Sequence, residues 1–369
     1  MNTQKVIVAG GNVRNIAESA FKAGYDVIAV TRHLDADLTL YCGEVHYLRD
    51  ERGEAEKQVE ELAQRYDAPV VLSSGLEDAE INAEILGCEP KVSRDIVNKL
   101  RFYRKLERAG IPFPEILERA DEIDESGEER FILKPVKGGG GEGIEFKNEP
   151  RDGYILQRYV TGTPCSVSLI AGREIIPIAA NYILQGIRWL HAKPFQYCGN
   201  VTPFPDYKEL YRIAIETASI FDLAGSFGID FILADRPYVL EINPRFQGSL
   251  DSIEWACDIN LFRLHVDAVE ERRIEVNVKP RRYAGRAILF APVDMRIRVV
   301  PAGNPFFADV TPSKDIEKGE PLVSILSSGK SRNEVLNRVR EREKLYLGMQ
   351  GVRGVQGIQG IQGANGIQV

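Results

Sequence analysis

The chain has 369 residues, 44% of them apolar and 27% charged, with a formal net charge of −7. That length suffices for about two to three domains with sizeable cores, and the acidic balance argues against nucleic acid as the main partner. No apolar run approaches the roughly 18 residues a membrane span needs, and the N-terminus lacks a basic-apolar-small signal, so we expect a cytoplasmic protein without membrane contact. The five cysteines (Cys42, Cys88, Cys165, Cys198, Cys257) are scattered and form no C-x-x-C, which fits reduced thiols.

Lys5–Gly10 reads as an apolar strand, followed by Gly10-Gly11-Asn12, a helical pattern from Val13 to Ala23 closed by Gly24, and a second strand at Asp26–Thr31. This order predicts a parallel sheet with a ligand-facing loop at its carboxyl edge. The dinucleotide fingerprint G-x-G-x-x-G is absent, because Asn-Val-Arg-Asn follows Gly10-Gly11, which argues against a nicotinamide or flavin enzyme. The unit then recurs: a helix over Glu54–Tyr66, a strand over Pro69–Ser73, a loop over Ser74–Asp78 and a helix over Ala79–Leu86. Arg14 and Glu77 fall on these loops, where they either touch a substrate or cap helices.

Ser93 can N-cap a helix running to about Ala109, with Ile96, Leu100, Tyr103 and Leu106 as its apolar stripe and Lys99 inside that stripe. Such a lysine is ordinarily a snorkelling stem; the alternative is an amine reaching a phosphate. Arg130–Pro135 is a strand that carries Lys134 among apolar neighbours. Gly138, Gly139, Gly140, Gly141 and Gly143 follow. Glycines this dense contribute no packing and lose much entropy on folding, so a flap whose backbone N–H groups wrap an anion explains them better than a plain hairpin turn. A Walker A loop is excluded, since no Gly-Lys-Ser/Thr closes the run; Ser328-Gly329-Lys330-Ser331 has that ending but Ser324 stands where the first glycine belongs. Tyr154–Val160 and Cys165–Ile170 are strands, then Glu174–Ala180 and Asn181–Trp189 continue the β pattern. Arg188–His191 and Cys198–Thr202 are candidates for an acceptor pocket, Arg188 pairing either a substrate carboxylate or a surface acid. Lys208–Phe221 is an amphipathic helix.

It leads into Gly228–Ser249, where the apolar runs Ile229–Leu233 and Tyr238–Ile242 are joined by Ala-Asp-Arg-Pro as an antiparallel hairpin. If Leu233 opposes Tyr238, Asp230 faces Glu241, and Asn243 shares Glu241's face because the strand period is two. Like charges opposed across a ladder are destabilising. A hard cation such as Mg²⁺ relieves that repulsion; a solvated polar face paired with Arg236 or Arg245 is the alternative.

The order Lys99, I-L-K-P with Lys134, the glycine loop, Q-R-Y-V-T-G and then D-x10-E-x-N-P-R resembles the ATP-grasp superfamily over roughly residues 1–345. By motif the chain looks like the predicted carboligases related to biotin carboxylase, of carboxylate–amine ligase type. The resemblance implies an α/β and α+β fold: a Rossmann-like pre-ATP-grasp domain (1–94), a two-subdomain ATP-grasp fold (95–280), a small C-terminal subdomain (281–347) and a Gly-x-x tail (348–369) read as disordered low complexity. It implies ATP between the subdomains, with Lys99 and Lys134 on its phosphates, Gly139, Gly140 and Gly141 closing over them, and Gln157, Tyr159 and Val160 in the adenine hinge. Asp230, Glu241 and Asn243 would hold Mg²⁺, or Mn²⁺ in its place, and Arg245 would face the transferring phosphoryl group as a catalytic residue beside Lys134. The biotin carboxylases follow N-x-R-x-Q with Val-Glu-His, which supplies a base for bicarbonate; here Gly248-Ser249-Leu250 follows Gln247, so carboxylation is disfavoured.

The expected activity is therefore ATP- and Mg-dependent amide formation between a small-molecule carboxylate and an amine, through an acyl phosphate, with release of ADP and phosphate. A regulatory or scaffold protein that only binds nucleotide, and an ATP-dependent carboxylase, are the rival readings; a homo-oligomer is compatible with either. No nucleophile-base-orienter triad is legible, and the four histidines are not spaced as zinc ligands. The basic run Arg272–Arg286 reads as a solvated connection between subdomains rather than a nucleic-acid patch.

Overall fold

The computed structural model of the chain describes residues 4–117, 130–205, 208–274 and 278–352. Near the N-terminus, strands Cys42–Tyr47, Asp26–Thr31, Lys5–Gly10 and Val70–Leu72 lie side by side in that order, all parallel. The two strands at its centre are apolar almost throughout because helices and neighbouring segments bury both faces. The expected helix at Ala79–Leu86 does not form. Glu84 and Leu86 instead exchange backbone bonds with Val70, which spends the segment's donors on the sheet edge and buries Ala79 and Ile81 against it.

The single helix expected from Ser93 to Ala109 is two helices, Pro90–Val97 and Lys99–Ala109. Pro90 occupies the first turn of one, where its missing N–H costs nothing, and Asn98 breaks into extended backbone and caps the other by accepting from the Arg101 N–H. The break rotates the stripe, so Ile96, Tyr103 and Leu106 are buried and Leu100 is exposed. Ser93 lies within the first helix rather than at its cap.

Among the described residues three further sheets follow, one of them only the two-stranded pair Met295–Arg296 and Asp315–Ile316. A small one orders Ile116–Leu117, Tyr154–Arg158, Phe131–Pro135 and Glu145–Phe146. The larger is eight-stranded and antiparallel: Pro237–Asn243, Gly225–Leu233, Thr163–Ala171, Ile175–Gln185, Tyr197–Thr202, Tyr283–Phe290, Pro321–Gly329 and Phe307–Ala308. Residues 174–189, expected as two β segments, form one strand, Ile175–Gln185, with a bulge near Pro177 in its pairing to Thr163–Ala171. The sheet runs without interruption from the central region into residues 281–347, because Tyr197–Thr202 pairs directly with Tyr283–Phe290. Helix Arg332–Met349 packs on its far side and continues into the segment expected as tail; Gln350 still bonds the Arg298 and Val299 backbone. The tail from residue 353 onward lies outside the described residues.

Helix Leu261–Val269 carries a fully buried histidine. The Ser226 N–H donates to His265 Nδ1 at 2.7 Å while Nε2 contacts the Leu86 carbonyl oxygen at 3.0 Å, which requires a neutral ring with its proton on Nε2. Burial pulls its pKa from 6.5 to about 4. Below the unfolded value the unfolded chain binds a proton that the folded chain refuses, so this contribution to stability is complete above pH 6.5 and is lost as pH falls toward 4, by about 3 kcal/mol. Glu254, pushed up to about 7 by burial, acts with the opposite sign over much of that range. The difference between wild type and His265→Asn removes Glu254 from the comparison: urea titrations should find the variant's disadvantage shrinking as pH drops from 7 to 4.5, and a constant disadvantage would contradict the assignment.

Candidate active site

The hairpin Gly225–Leu233/Pro237–Asn243 pairs Asp230 with Glu241, as expected, but by another route. At the tip Leu233 opposes Pro237 and Ile232 opposes Tyr238, one residue out of the expected register. A bulge between Asp230 and Phe231, opposite Leu240, restores it. The bulge also frees the Leu240 carbonyl, which accepts from Tyr103 Oη at 2.6 Å and from Lys134 Nζ at 3.5 Å.

Burial first, and the facing Glu241 second, push the Asp230 carboxyl up to about 8. Asn243 Nδ2 donates to Asp230 Oδ2 at 3.1 Å, and its Oδ1 accepts from Arg245 Nη2 at 3.2 Å. The expected trio thus shares one face, with the amide nitrogen turned to the acid. Lys99 Nζ stands 4.0 Å from Glu241, and burial lowers its pKa. Lys134 Nζ donates to Tyr103 Oη at 3.2 Å; burial pulls its ammonium down, and Tyr103, Glu241 and Asp230 outweigh that, leaving it raised. Two buried ammonium groups beside two opposed carboxylates form a site whose charges are held in place before any ligand arrives.

The glycine flap rests on this floor. Lys99 Nζ donates to the Gly138 carbonyl, and the Tyr197 N–H donates to Gly140 O at 2.9 Å. At Gly141 (φ +79°) a Cβ would fall 1.8 Å from the Phe195 carbonyl oxygen, so only glycine permits the close approach. Gly141→Ala should therefore lift the flap and raise KM for ATP at least about tenfold; steady-state kinetics that match wild type would show that the flap does not close over the nucleotide.

A cavity of about 340 Å³ opens between these parts, lined by Lys134, Gly140, Gly141, Asp230, Glu241 and Asn243, with Asn12, Ser74 and Arg286 on its other walls. Among the residues lining it, Lys99, Gly139, Gln157, Tyr159 and Val160 do not appear. Gln157 is buried and spends its amide on the Pro114 carbonyl at 3.0 Å, and the Tyr159 N–H is taken by Arg130 O. Arg245 reaches the cavity but is held from behind: Nε donates to Glu77, whose other oxygen accepts the Gly75 N–H. Glu77 is thus a support for Arg245. Arg14 neither touches the cavity nor caps a helix; it is buried among Glu18, Asp251 and Asp309. Arg188 forms part of a short helical turn away from the cavity, whereas Tyr197 and Asn200 do line it.

Arg286 enters this site without a signal in the sequence. Arg286 lies within the basic run expected to be solvated, yet it is buried and donates to Asp309 at 2.6 Å, with Nη1 reaching toward the Gly248 carbonyl. Gln247 is seated in the space left by Gly228, where a Cβ would fall 1.6 Å from its side chain; it accepts from Ser168 Oγ at 2.6 Å. A Cβ on Gly248 would fall 2.7 Å from Tyr197 Oη, so a larger residue cannot enter there without displacing that ring. Among the described residues no three His, Cys, Asp or Glu side chains gather as a metal cluster; the cation candidate is two carboxylates and an amide.

Residues 96–249 match the profile of the ATP-grasp domain. That match marks an ATP-grasp domain within the chain. The match spans both lysines, the flap and the bulged hairpin. Over 371 aligned residues the chain is 28% identical to an uncharacterized protein of Methanocaldococcus jannaschii, covering 91% of each. It is 31% identical over 118 residues to the tyramine–L-glutamate ligase of Methanocaldococcus fervens, which is 31% of this chain and 37% of that one. In fold it is similar to the biotin carboxylase of Campylobacter jejuni (TM-score 0.71, 16% identity, 93% of this chain and 91% of that one). The α/β and α+β fold expected from the sequence is thus shared with this biotin carboxylase, and among the described residues no helix is long and apolar enough to cross a membrane.

Proposed function

We propose that the protein is an ATP-dependent carboxylate–amine ligase that forms an amide through an acyl phosphate. The observation that carries this reading is the opposed Asp230–Glu241 pair beside two buried lysines and a flap that only glycine can build. Burial and the facing Glu241 both disfavour charge on the Asp230 carboxyl, a strain that a divalent ion bound between the two acids would relieve. Mg²⁺ bound by Asp230 and Glu241, with Asn243 turning its amide oxygen inward, would neutralise nucleotide phosphate charge.

The chain's own groups account for the remaining needs. Lys134, fixed by Tyr103 and the Leu240 carbonyl, presents its ammonium to phosphate oxygens without paying for reorganisation. Arg245, oriented by Glu77, stands at the cavity wall where the phosphoryl group transfers. The substrate carboxylate attacks the γ-phosphorus and ADP leaves; the amine then attacks the acyl carbon, expelling phosphate, and loses a proton to give the amide. Ser249 and Leu250 stand where a biotin carboxylase has the Glu-His that supplies its bicarbonate base, which favours an amine over bicarbonate as acceptor. The short stretch shared with a tyramine–L-glutamate ligase favours an amino-acid carboxylate. We place the enzyme in the cytoplasm.

The test is ADP release with Mg-ATP, L-glutamate and hydroxylamine, which converts an acyl phosphate into a coloured hydroxamate. Carboxylate-dependent hydroxamate is expected across a panel of amino acids. Incorporation of labelled bicarbonate in place of hydroxamate would support the carboxylase reading, and nucleotide binding with no turnover on any carboxylate the scaffold reading.

A further inference from the structure

A second cavity, of about 1280 Å³, adjoins the first and shares Tyr197, Arg286 and Ile288 with it. Its walls are the loop after strand Asp26–Thr31, the flap, and the strands beyond residue 281, and they include Phe195, Phe290, Ile316 and Val323. Asp35 lines it too. This residue stands at the N-cap of the short turn Ala36–Leu40, in extended backbone, yet its side chain caps nothing. Its Oδ2 is buried and accepts no hydrogen bond in the structure. Aspartate at an N-cap ordinarily accepts an N–H of the first turn, and a buried carboxylate without a donor is expensive. The charged groups facing it are Asp37 from its own turn, Asp309 from the C-terminal region, Arg14 from the first helix and Arg286 from the large sheet. Both arginines are already engaged by Asp251 and Asp309. What the neighbourhood lacks is a cation with N–H donors to spare.

We propose that this cavity receives the amine substrate, an ammonium group on an apolar body, and that Asp35 is its ion-pair partner. The assignment deepens the ligase reading, which makes an amine the second substrate. Burial, with Asp309 and Asp37 adding to it, pushes the Asp35 carboxyl up to about 8, so near neutral pH the empty site holds a proton that an arriving ammonium expels. Arg32, His33 and Lys314 stand on the same cavity and could gather an anion, but an anion leaves the orphaned oxygen of Asp35 unexplained.

The experiment is a calorimetric titration of the full chain with 2-phenylethylamine and with its neutral isostere 2-phenylethanol, in two buffers of different ionisation enthalpy. Wild type should prefer the amine by about tenfold and release a proton on binding it, and Asp35→Asn should lose both the preference and the proton. Equal binding of amine and alcohol by wild type, or an unchanged preference in Asp35→Asn, overturns the assignment. Should Asp35→Asn fail to fold, Lys314→Glu, an exposed change on the same cavity, carries the test: tighter amine binding is expected, and unchanged or weaker binding overturns it. Hydroxamate formation needs no amine pocket. Hydroxamate without amine binding therefore sinks Asp35 alone, and amine binding without hydroxamate sinks the acyl phosphate while Asp35 stands.

Discussion

Glu241→Gln should abolish turnover, by about a thousandfold or more, while leaving the protein at least as stable as wild type. The substitution keeps the side chain's size and removes only its charge. Glu241 faces Asp230 across the ladder, and among the described residues no ion pair but that with Lys99, at 4.0 Å, compensates it. Removing one of two opposed carboxylates relieves repulsion in the empty protein, so the melting temperature should hold or rise by a few degrees. A residue kept for structure would do the reverse. The same variant should lose the stabilisation that Mg-ATP gives wild type, which grows with ligand concentration over Kd. Thermal melts with and without Mg-ATP, beside ADP release, make the check: near-normal turnover, or a large drop in melting temperature without ligand, would contradict the site. Lys134→Ala should likewise remove activity, but with a stability cost, because the ammonium also satisfies Tyr103 Oη and the Leu240 carbonyl.

How much of this was legible depended on sequence distance. The parallel sheet at the N-terminus followed from short apolar runs, whose bounds at Lys5–Gly10 and Asp26–Thr31 matched to the residue. The Asp230–Glu241 pairing was reached through a tip register one residue out, and an unreadable bulge at Leu240 compensated. Bulges leave no compositional mark, because the extra residue is an ordinary leucine. The break at Asn98 was readable in principle: an asparagine ahead of Lys-Leu-Arg is a cap signal, overridden by a stripe that seemed continuous. Ala79–Leu86 has apolar spacing that a helix and an edge segment both satisfy, and only the bonds to Val70 decide between them. Arg286, Asp35 and Asp309 could not be found, since Asp35 meets the other two only through packing of regions hundreds of residues apart and no local pattern marks any of them.

That distance is also where the largest stability effect should lie. Arg14 is fully buried at the junction of three regions. Its guanidinium donates to Asp251 at 2.7 and 3.0 Å, to Asp309 at 3.0 Å across 295 residues of sequence, and to Glu18 at 2.6 Å. These carboxylates hold it protonated far above the ordinary arginine value, against the cost of burial. Replacing a buried pair wholesale with apolar groups is often neutral, but removing one partner strands the others. Arg14→Met should therefore cost about 3–5 kcal/mol in urea unfolding, because Asp251 and Asp309 are left facing one another's charge with only Arg286 between them. Asp251→Asn in the same background should recover part of that loss, since it deletes a stranded charge. Activity should fail before the fold does: Asn12, Asn15 and Ser74 reach the cavity only while the N-terminal unit is docked, and Asn15 Nδ2 bonds the Gln247 carbonyl at 3.3 Å across that junction. In Arg14→Met, KM for ATP should rise at urea concentrations where circular dichroism is still native. A cost below about 1 kcal/mol, or kinetics that track global unfolding alone, would mean that the ion cluster neither holds the domains together nor shapes the site.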